Sequence, residues 1–280
     1  MKTIKFQIVS LLLFFSASVI SQNKTFEVTI TGKGNPILFF PGFTCPGEVY
    51  EDIVAELSKT NECHVFTFAG FGDVPAIEKP WLPKIKEEIT TYIYDKNLRE
   101  ITLIGHSLGG TLSLWLGTEE SNNFKKIIAI DALPSTGALM MPNFNSETIV
   151  YDNPYNKRLL EMNDENFEAM ATQMASGMTL NEGKKQVIKD WIINTDRETY
   201  VYGYTELLKL DLREAISEIK IPVTILGATK PYGLEMVQKT FEEQYKNLKN
   251  YKIKFAEDSA HFIMFDQPEW LLEAINSELK

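Results

Sequence analysis

The chain has 280 residues, 44% of them hydrophobic and 24% charged, with a formal charge of −10. These proportions supply a large core for one α/β domain, with or without an insertion, and exclude a disordered, fibrous or repetitive chain. The acidic balance disfavours nucleic acid and anionic membrane surfaces as partners and favours a neutral or apolar small molecule.

Lys2 and Lys5 precede an apolar run from Ile8 to Phe15, followed by small and polar residues as far as Ser21. The order reads as a cleavable export signal over residues 1–21 and not as a membrane anchor, because the apolar run is shorter than the roughly 20 residues of a spanning helix. Cleavage near Ser21 removes two lysines and no acid, moving the formal charge from −10 to −12 and implying a periplasmic or secreted protein. No cysteine stands just after that cut, so a lipid anchor is not suggested.

Phe26 to Thr31 alternates apolar with polar residues, and Gly32 to Asn35 turns the chain into Pro36 to Phe40, which predicts an edge hairpin leading to a buried strand. That strand ends in Pro41-Gly42-Phe43, where the glycine lets the backbone bend and present the Phe43 amide to a developing negative charge. Gly47 to Lys59 has helical spacing, Cys63 to Phe68 reads as the next buried strand, and Pro83 to Tyr94 as an amphipathic helix. Ile101 to Ile104 then runs through Gly-His-Ser-Leu-Gly into a helix ending near Gly117. In sequence form this is a nucleophile elbow, with Ser107 as nucleophile and Leu108 offering a second oxyanion-binding amide. Lys126 to Ile130 is a strand ending in Asp131. Strands and helices alternating at this spacing predict a mostly parallel, doubly wound α/β sheet.

From residue 132 to 210 strand patterning disappears and short helices take over, which reads as a helical cap inserted between core segments 22–131 and 211–280. Met170, Met174 and Met178 are four apart and fall along one helix face; they either pack the cap on the core or line an apolar pocket. The sheet resumes at Ile221 to Leu226, followed by a helix from Tyr232 to Tyr245, a strand from Tyr251 to Phe255 and a terminal helix from Pro268.

A serine needs a base, and the chain has three histidines. His64 is placed at the start of a strand, at the far end of the sheet, and His106 points away from the serine. His261 follows the last strand, at the same edge as Ser107. The motifs PGF at 41, GFGDVPA from Gly70, GHSLGG at 105, DALP at 131 and SAHFIMFDQPEW at 259 together resemble an α/β-hydrolase from about Phe26 to the terminal helix. The resemblance implies Ser107 as nucleophile, His261 as base and the Phe43 and Leu108 amides as oxyanion hole. It departs from many members in two places. Pro41-Gly42 stands where they carry His-Gly, and Gly227-Ala228-Thr229-Lys230 stands where they carry an acid.

A lysine has donors only and cannot orient a histidine, so another carboxylate must serve. Asp131 emerges one strand from Ser107 and is preferred to Asp258, Asp211 and Glu235. The expected activity is hydrolysis of a small to medium apolar ester or related acyl compound through an acyl-enzyme, with no metal, no organic cofactor, no stable membrane anchor and no protein partner. Alternatives are a non-catalytic ligand-binding protein of the same fold, or a hydrolase of amides, lactones or carbon-carbon bonds. Cys45 and Cys63 fall at opposite ends of neighbouring strands and are expected to be free thiols.

Overall fold

The computed structural model describes residues 24–119, 123–141 and 143–280. The segment read as an export signal lies outside the described residues. Seven strands form one sheet in the order β1-β3-β2-β4-β5-β6-β7. They are β1 (Phe26–Gly32), β2 (Asn35–Phe40), β3 (Asn61–Phe68), β4 (Ile101–His106), β5 (Phe124–Ile130), β6 (Val223–Ala228) and β7 (Tyr251–Ala256). All neighbours are parallel except β1 and β3.

The predicted β1–β2 hairpin is corrected: β1 pairs with β3, and β2 lies between β3 and β4. The reason is burial. Ile37 to Phe40 of β2 are all at most 1% exposed, so that strand needs a covered neighbour on each side, whereas β1 is mostly exposed and suits an edge. The turn instead crosses the start of β3, where Gly32 has φ 84° and a side chain would meet the Asn61 carbonyl oxygen at 2.2 Å.

Side chains alternating along the strands feed two cores. On one face Ile37, Phe39 and Ile128 pack with α1 (Glu51–Leu57) and α11 (Pro268–Leu279). On the other, Leu38, Phe40 and Ile225 pack with α2 (Trp81–Asp95), α3 (Leu108–Glu119) and α9 (Leu234–Gln244). The central strands show no polar alternation, with β4 and β6 buried at every position, as expected of parallel strands covered on both faces.

Between β5 and β6 the chain forms α4 (Thr136–Met140), α5 (Pro154–Leu160), α6 (Asp164–Met178), α7 (Glu182–Asn194) and α8 (Arg197–Lys209). This helical insertion is fastened to the sheet layer by the buried Glu206 of α8. Its carboxylate accepts hydrogen bonds from the amides of Trp81 (2.9 Å) and Leu82 (2.5 Å), the open N-terminus of α2, and from the Tyr151 hydroxyl (2.5 Å). A short helix after His261, α10 (Ile263–Asp266), was hidden in sequence by its length.

Candidate active site

Ser107 sits on the sharp turn between β4 and α3 with φ 51°, a left-handed conformation that costs a non-glycine residue about 1–3 kcal/mol. The surroundings hold it there. A side chain on Gly105 would lie 2.1 Å from the Gly109 carbonyl oxygen, and one on Gly109 would lie 2.0 Å from that of Phe40. Only glycine lets the helix approach β4 and β2 so closely. The Ser107 amide donates to the Ile130 carbonyl (2.9 Å), tying the turn to β5.

Phe43 lies just beyond β2, and its ring is fixed among those of Phe71, Trp81, Tyr200 and Tyr204 at centroid distances of 5.3, 6.1, 5.8 and 5.4 Å. Among the described residues, the Phe43 and Leu108 amides donate to no backbone or side-chain acceptor of the protein. Both are therefore free to receive an anionic oxygen.

Asp131 and His261 are brought together. His261 Nδ1 is 2.6 Å from Asp131 Oδ2, while Asp131 Oδ1 accepts the Ala228 amide at 2.9 Å. Asp131 has φ 43°, and its own amide donates to the Leu226 carbonyl at 2.7 Å. The end of β6, just before the segment that lacks the usual acid, thus supplies a donor to the carboxylate that follows β5. The competing acids are elsewhere: Asp258 pairs with Lys230 Nζ at 2.9 Å, Asp211 pairs with Arg213 at 2.7 Å, and Glu235 is exposed in the first turn of α9.

Two supports of His261 were missed in sequence. The first is His106, whose Nε2 lies 3.0 Å from the His261 carbonyl oxygen and whose ring is 4.6 Å from that of His261. Complete burial, with His261 nearby, holds its pKa well below the usual histidine value. It is therefore neutral, and because a carbonyl only accepts, the proton belongs on Nε2. Nδ1 is then a buried acceptor without a partner. The second is Asp266. Its Oδ2 accepts the Ala260 amide (2.8 Å), and its Oδ1 accepts the Thr179 hydroxyl (2.5 Å) and the Leu180 amide (2.9 Å). The Phe262 amide also donates to the Met178 carbonyl at 3.0 Å, so the loop carrying His261 is strapped to the α6–α7 turn. A histidine beside the nucleophile was the available sequence signal for the first support; the second has none, since the strap from Asp266 to Thr179 and Leu180 joins residues 86 or more apart.

His64 needs correction. It lies in the middle of β3, not at its start, because Asn61 and Glu62 already pair with β2 and β1. Its ring nitrogens meet Tyr92 Oη (2.7 Å) and Glu62 Oε1 (2.8 Å). Cys45 and Cys63 are buried and unbridged, and burial pushes the Cys63 thiol up to about 11.

Ser107, His261 and Asp131 open on one cavity of about 730 Å³ between the carboxyl edge of the sheet and the insertion. Met174 and Met178 line it; Met170 does not and packs against the hydrophobic core instead. At about 100° per residue, each four-residue step overshoots a turn by about 40°, so residues 170 and 178 are some 80° apart on the helix. Met140, Tyr200 and Tyr204 complete the apolar wall, the Tyr204 hydroxyl donating to Met140 Sδ at 3.1 Å and the Tyr200 hydroxyl to Met174 Sδ at 3.4 Å. Burial raises the pKa of both tyrosines, that of Tyr204 to about 12, so both hydroxyls stay protonated near neutrality. Among the described residues, no group of three histidine, cysteine or acidic side chains could hold a metal, and no helix is long and apolar enough to cross a membrane.

A family model described as "Alpha/beta hydrolase family" matches residues 37–274. A 3-oxoadipate enol-lactonase 1 from Acinetobacter baylyi is 22% identical over 270 residues, covering 92% of this chain and 94% of that protein. Among solved structures, an enol-lactonase from Burkholderia xenovorans superposes with a TM-score of 0.76 at 15% identity, over 91% of this chain and 96% of the other. An esterase from Exiguobacterium antarcticum gives 0.75 at 17% identity, over 90% and 94%. At such identities the structural likeness carries the fold alone.

Proposed function

The chain belongs to the α/β-hydrolase family, and from that premise we propose that it is a serine hydrolase that cleaves a small to medium apolar ester or related acyl compound through an acyl-enzyme on Ser107. The observation that carries the reading is the 2.6 Å contact of His261 Nδ1 with Asp131, in the cavity that also holds Ser107. With Nδ1 occupied, Nε2 is the nitrogen left to take the serine proton. Ser107 Oγ then bonds to the substrate carbonyl carbon, and the oxygen, now negative, is received by the Phe43 and Leu108 amides. Asp131 stabilises the imidazolium, which returns its proton to the departing alkoxide as the ester bond breaks. Water, deprotonated by His261, attacks the acyl-enzyme by the same route and releases the acid and Ser107.

Two of the similar proteins are named as enol-lactonases, which favours lactones as a second reading. A lactone that keeps a free carboxylate would call for a cation in the cavity. Lys230 is the lysine on its lining and is already paired with Asp258, so a neutral ester is preferred. Residues 1–21 support action outside the cytoplasm; a mature protein found to begin near Gln22 would bear this out, and retention of Met1 would not. The reading of the site is tested with a fluorophosphonate. Ser107 should be the residue labelled, and Ser107→Ala should abolish labelling and lower ester turnover by on the order of 10⁴ to 10⁶. Labelling that survives the substitution overturns it.

A further inference from the structure

Several of the residues that line the cavity are also exposed, and these define its mouth. They are Leu139 and Met140 at the end of α4, Gly177 near the end of α6, and Lys230, Pro231, Tyr232 and Met236 before and within α9. Leu139, Met140, Tyr232 and Met236 are 54%, 55%, 69% and 59% exposed. Single exposed apolar side chains are ordinary on a protein surface, but here four large ones ring the opening of an apolar cavity. The charged member of the ring, Lys230, is neutralised by Asp258 at 2.9 Å. Gly177 adds room: a side chain at that position would find no atom within 4 Å, so its bareness answers no packing need of the protein. Met140 is held by the Tyr204 hydroxyl and still has a flexible end that adapts to an irregular apolar ligand.

We propose that this ring is a substrate subsite, and that the enzyme takes medium-chain esters whose apolar chain leaves the cavity between α4 and α9 over Leu139, Met140, Tyr232 and Met236. The proposal rests on Ser107 as the nucleophile at the cavity floor. A two-carbon acyl group would leave most of 730 Å³ filled with water and the ring uncovered. A longer chain covers both, and each methylene moved out of water contributes about 0.8 kcal/mol.

The test is a p-nitrophenyl ester series from acetate to dodecanoate, held below the solubility limit of each ester. In the native protein kcat/KM should rise with chain length, by up to about fourfold per methylene, which is that contribution converted to a rate ratio. Met140→Glu and Met236→Glu should each lower the octanoate-to-acetate ratio of kcat/KM tenfold or more. An unchanged ratio in both folded variants overturns the proposal. So does a rate that rises only when esters aggregate or phosphatidylcholine vesicles are added, which would assign the ring to a lipid surface. A separate arm measures calorimetric binding of 2-decanone against acetone to Ser107→Ala with and without Met236→Glu. Preference for 2-decanone that is lost with Met236→Glu supports the subsite even if Ser107 proves not to be the nucleophile; equal binding of both ketones overturns it.

Discussion

Replacing Asp131 by asparagine removes one acceptor from a site that uses two. Oδ1 accepts the Ala228 amide at 2.9 Å and Oδ2 faces His261 Nδ1 at 2.6 Å. Asparagine has one carbonyl oxygen and one NH2 group, so it can satisfy only one of these donors. If its oxygen stays with Ala228, the NH2 points at His261 and forces Nδ1 to accept, which puts the ring proton on Nε2 and leaves nothing to receive the Ser107 proton. If the side chain flips, His261 keeps its tautomer and the Ala228 amide loses its acceptor, at a cost of about 1–3 kcal/mol. The first arrangement leaves a catalytically incompetent tautomer, the situation that lowers kcat by about 10⁴, or some 5.4 kcal/mol, in the serine-protease triad. Asp131→Asn should therefore keep its fold, bind substrate, and lose kcat by up to about 10⁴ in a p-nitrophenyl butyrate assay. Fluorophosphonate labelling should slow in parallel. Activity within tenfold of the native protein, together with loss in Glu235→Gln, would refute the assignment and return the acid to the segment after β6.

Asp266→Asn makes a similar demand on the strap, because one oxygen cannot serve both the Ala260 amide and the Thr179–Leu180 donors. A fall in kcat on the order of 10² with little change in KM or melting temperature is expected; equal losses in stability and binding would make the residue merely structural. Lys230→Ala should leave short-ester turnover within a few-fold, since its ammonium meets Asp258 and not His261; a collapse of kcat would contradict this. At Glu278, burial opposes ionisation, but hydrogen bonds from Lys252 and Lys254 outweigh it and hold the carboxyl down at about 2. A folded pKa below the unfolded one stabilises the fold above about pH 4.5, and that contribution, up to about 3 kcal/mol, is lost as the pH falls toward 2. Urea midpoints should show Glu278→Gln losing part of the native pH dependence over that window; parallel curves would exclude the role. Alkylation of the unreduced, denatured protein should add two labels, on Cys45 and Cys63; none would mean a disulfide.

The readily legible parts of the chain were those where the backbone dictates residue type. Glycines on either side of Ser107 are demanded by contacts near 2 Å, and the predominantly apolar β2, β4 and β6, which show no alternation with exposed polar residues, follow from burial on both faces. Partnership between distant segments was less legible. Local alternation placed β1 as a strand but could not choose between β2 and β3, because turn residues between strands do not say which neighbour the strand will meet. Four-residue spacing aligned the methionines of α6 without the drift that turns Met170 to the core. Glu206 reaching Trp81, and Asp266 reaching Thr179, leave no periodicity to detect, since each is one side chain satisfying donors far along the chain.

The position of the proposed acid, Asp131, can be understood from the ends of two adjacent strands. A carboxylate beside His261 must approach at the carboxyl edge, and β5 and β6 are neighbours paired from Ile127 with Val223 to Ile130 with Leu226. Whichever strand lacks the acid can still supply a donor to it. Here the chain turns sharply at Asp131, with φ 43°, and its amide reaches back to Leu226 while its carboxylate reaches on to Ala228. That double contact fixes both ends of the residue to β6. Lys230 then becomes free for another use: its amide donates to the Ser259 carbonyl at 2.8 Å and its ammonium pairs with Asp258, both on the loop that carries His261. The end of β6 thus holds Asp131, and the segment after it holds the loop that carries His261. Moving the acid to position 230 would lose the Asp258 ion pair, and an asparagine at 131 whose oxygen keeps the Ala228 amide would still set its NH2 against His261 Nδ1. The double substitution Asp131→Asn with Lys230→Asp should therefore rescue little of the lost kcat, and recovery to within tenfold of the native rate would show that the strand ends are interchangeable after all.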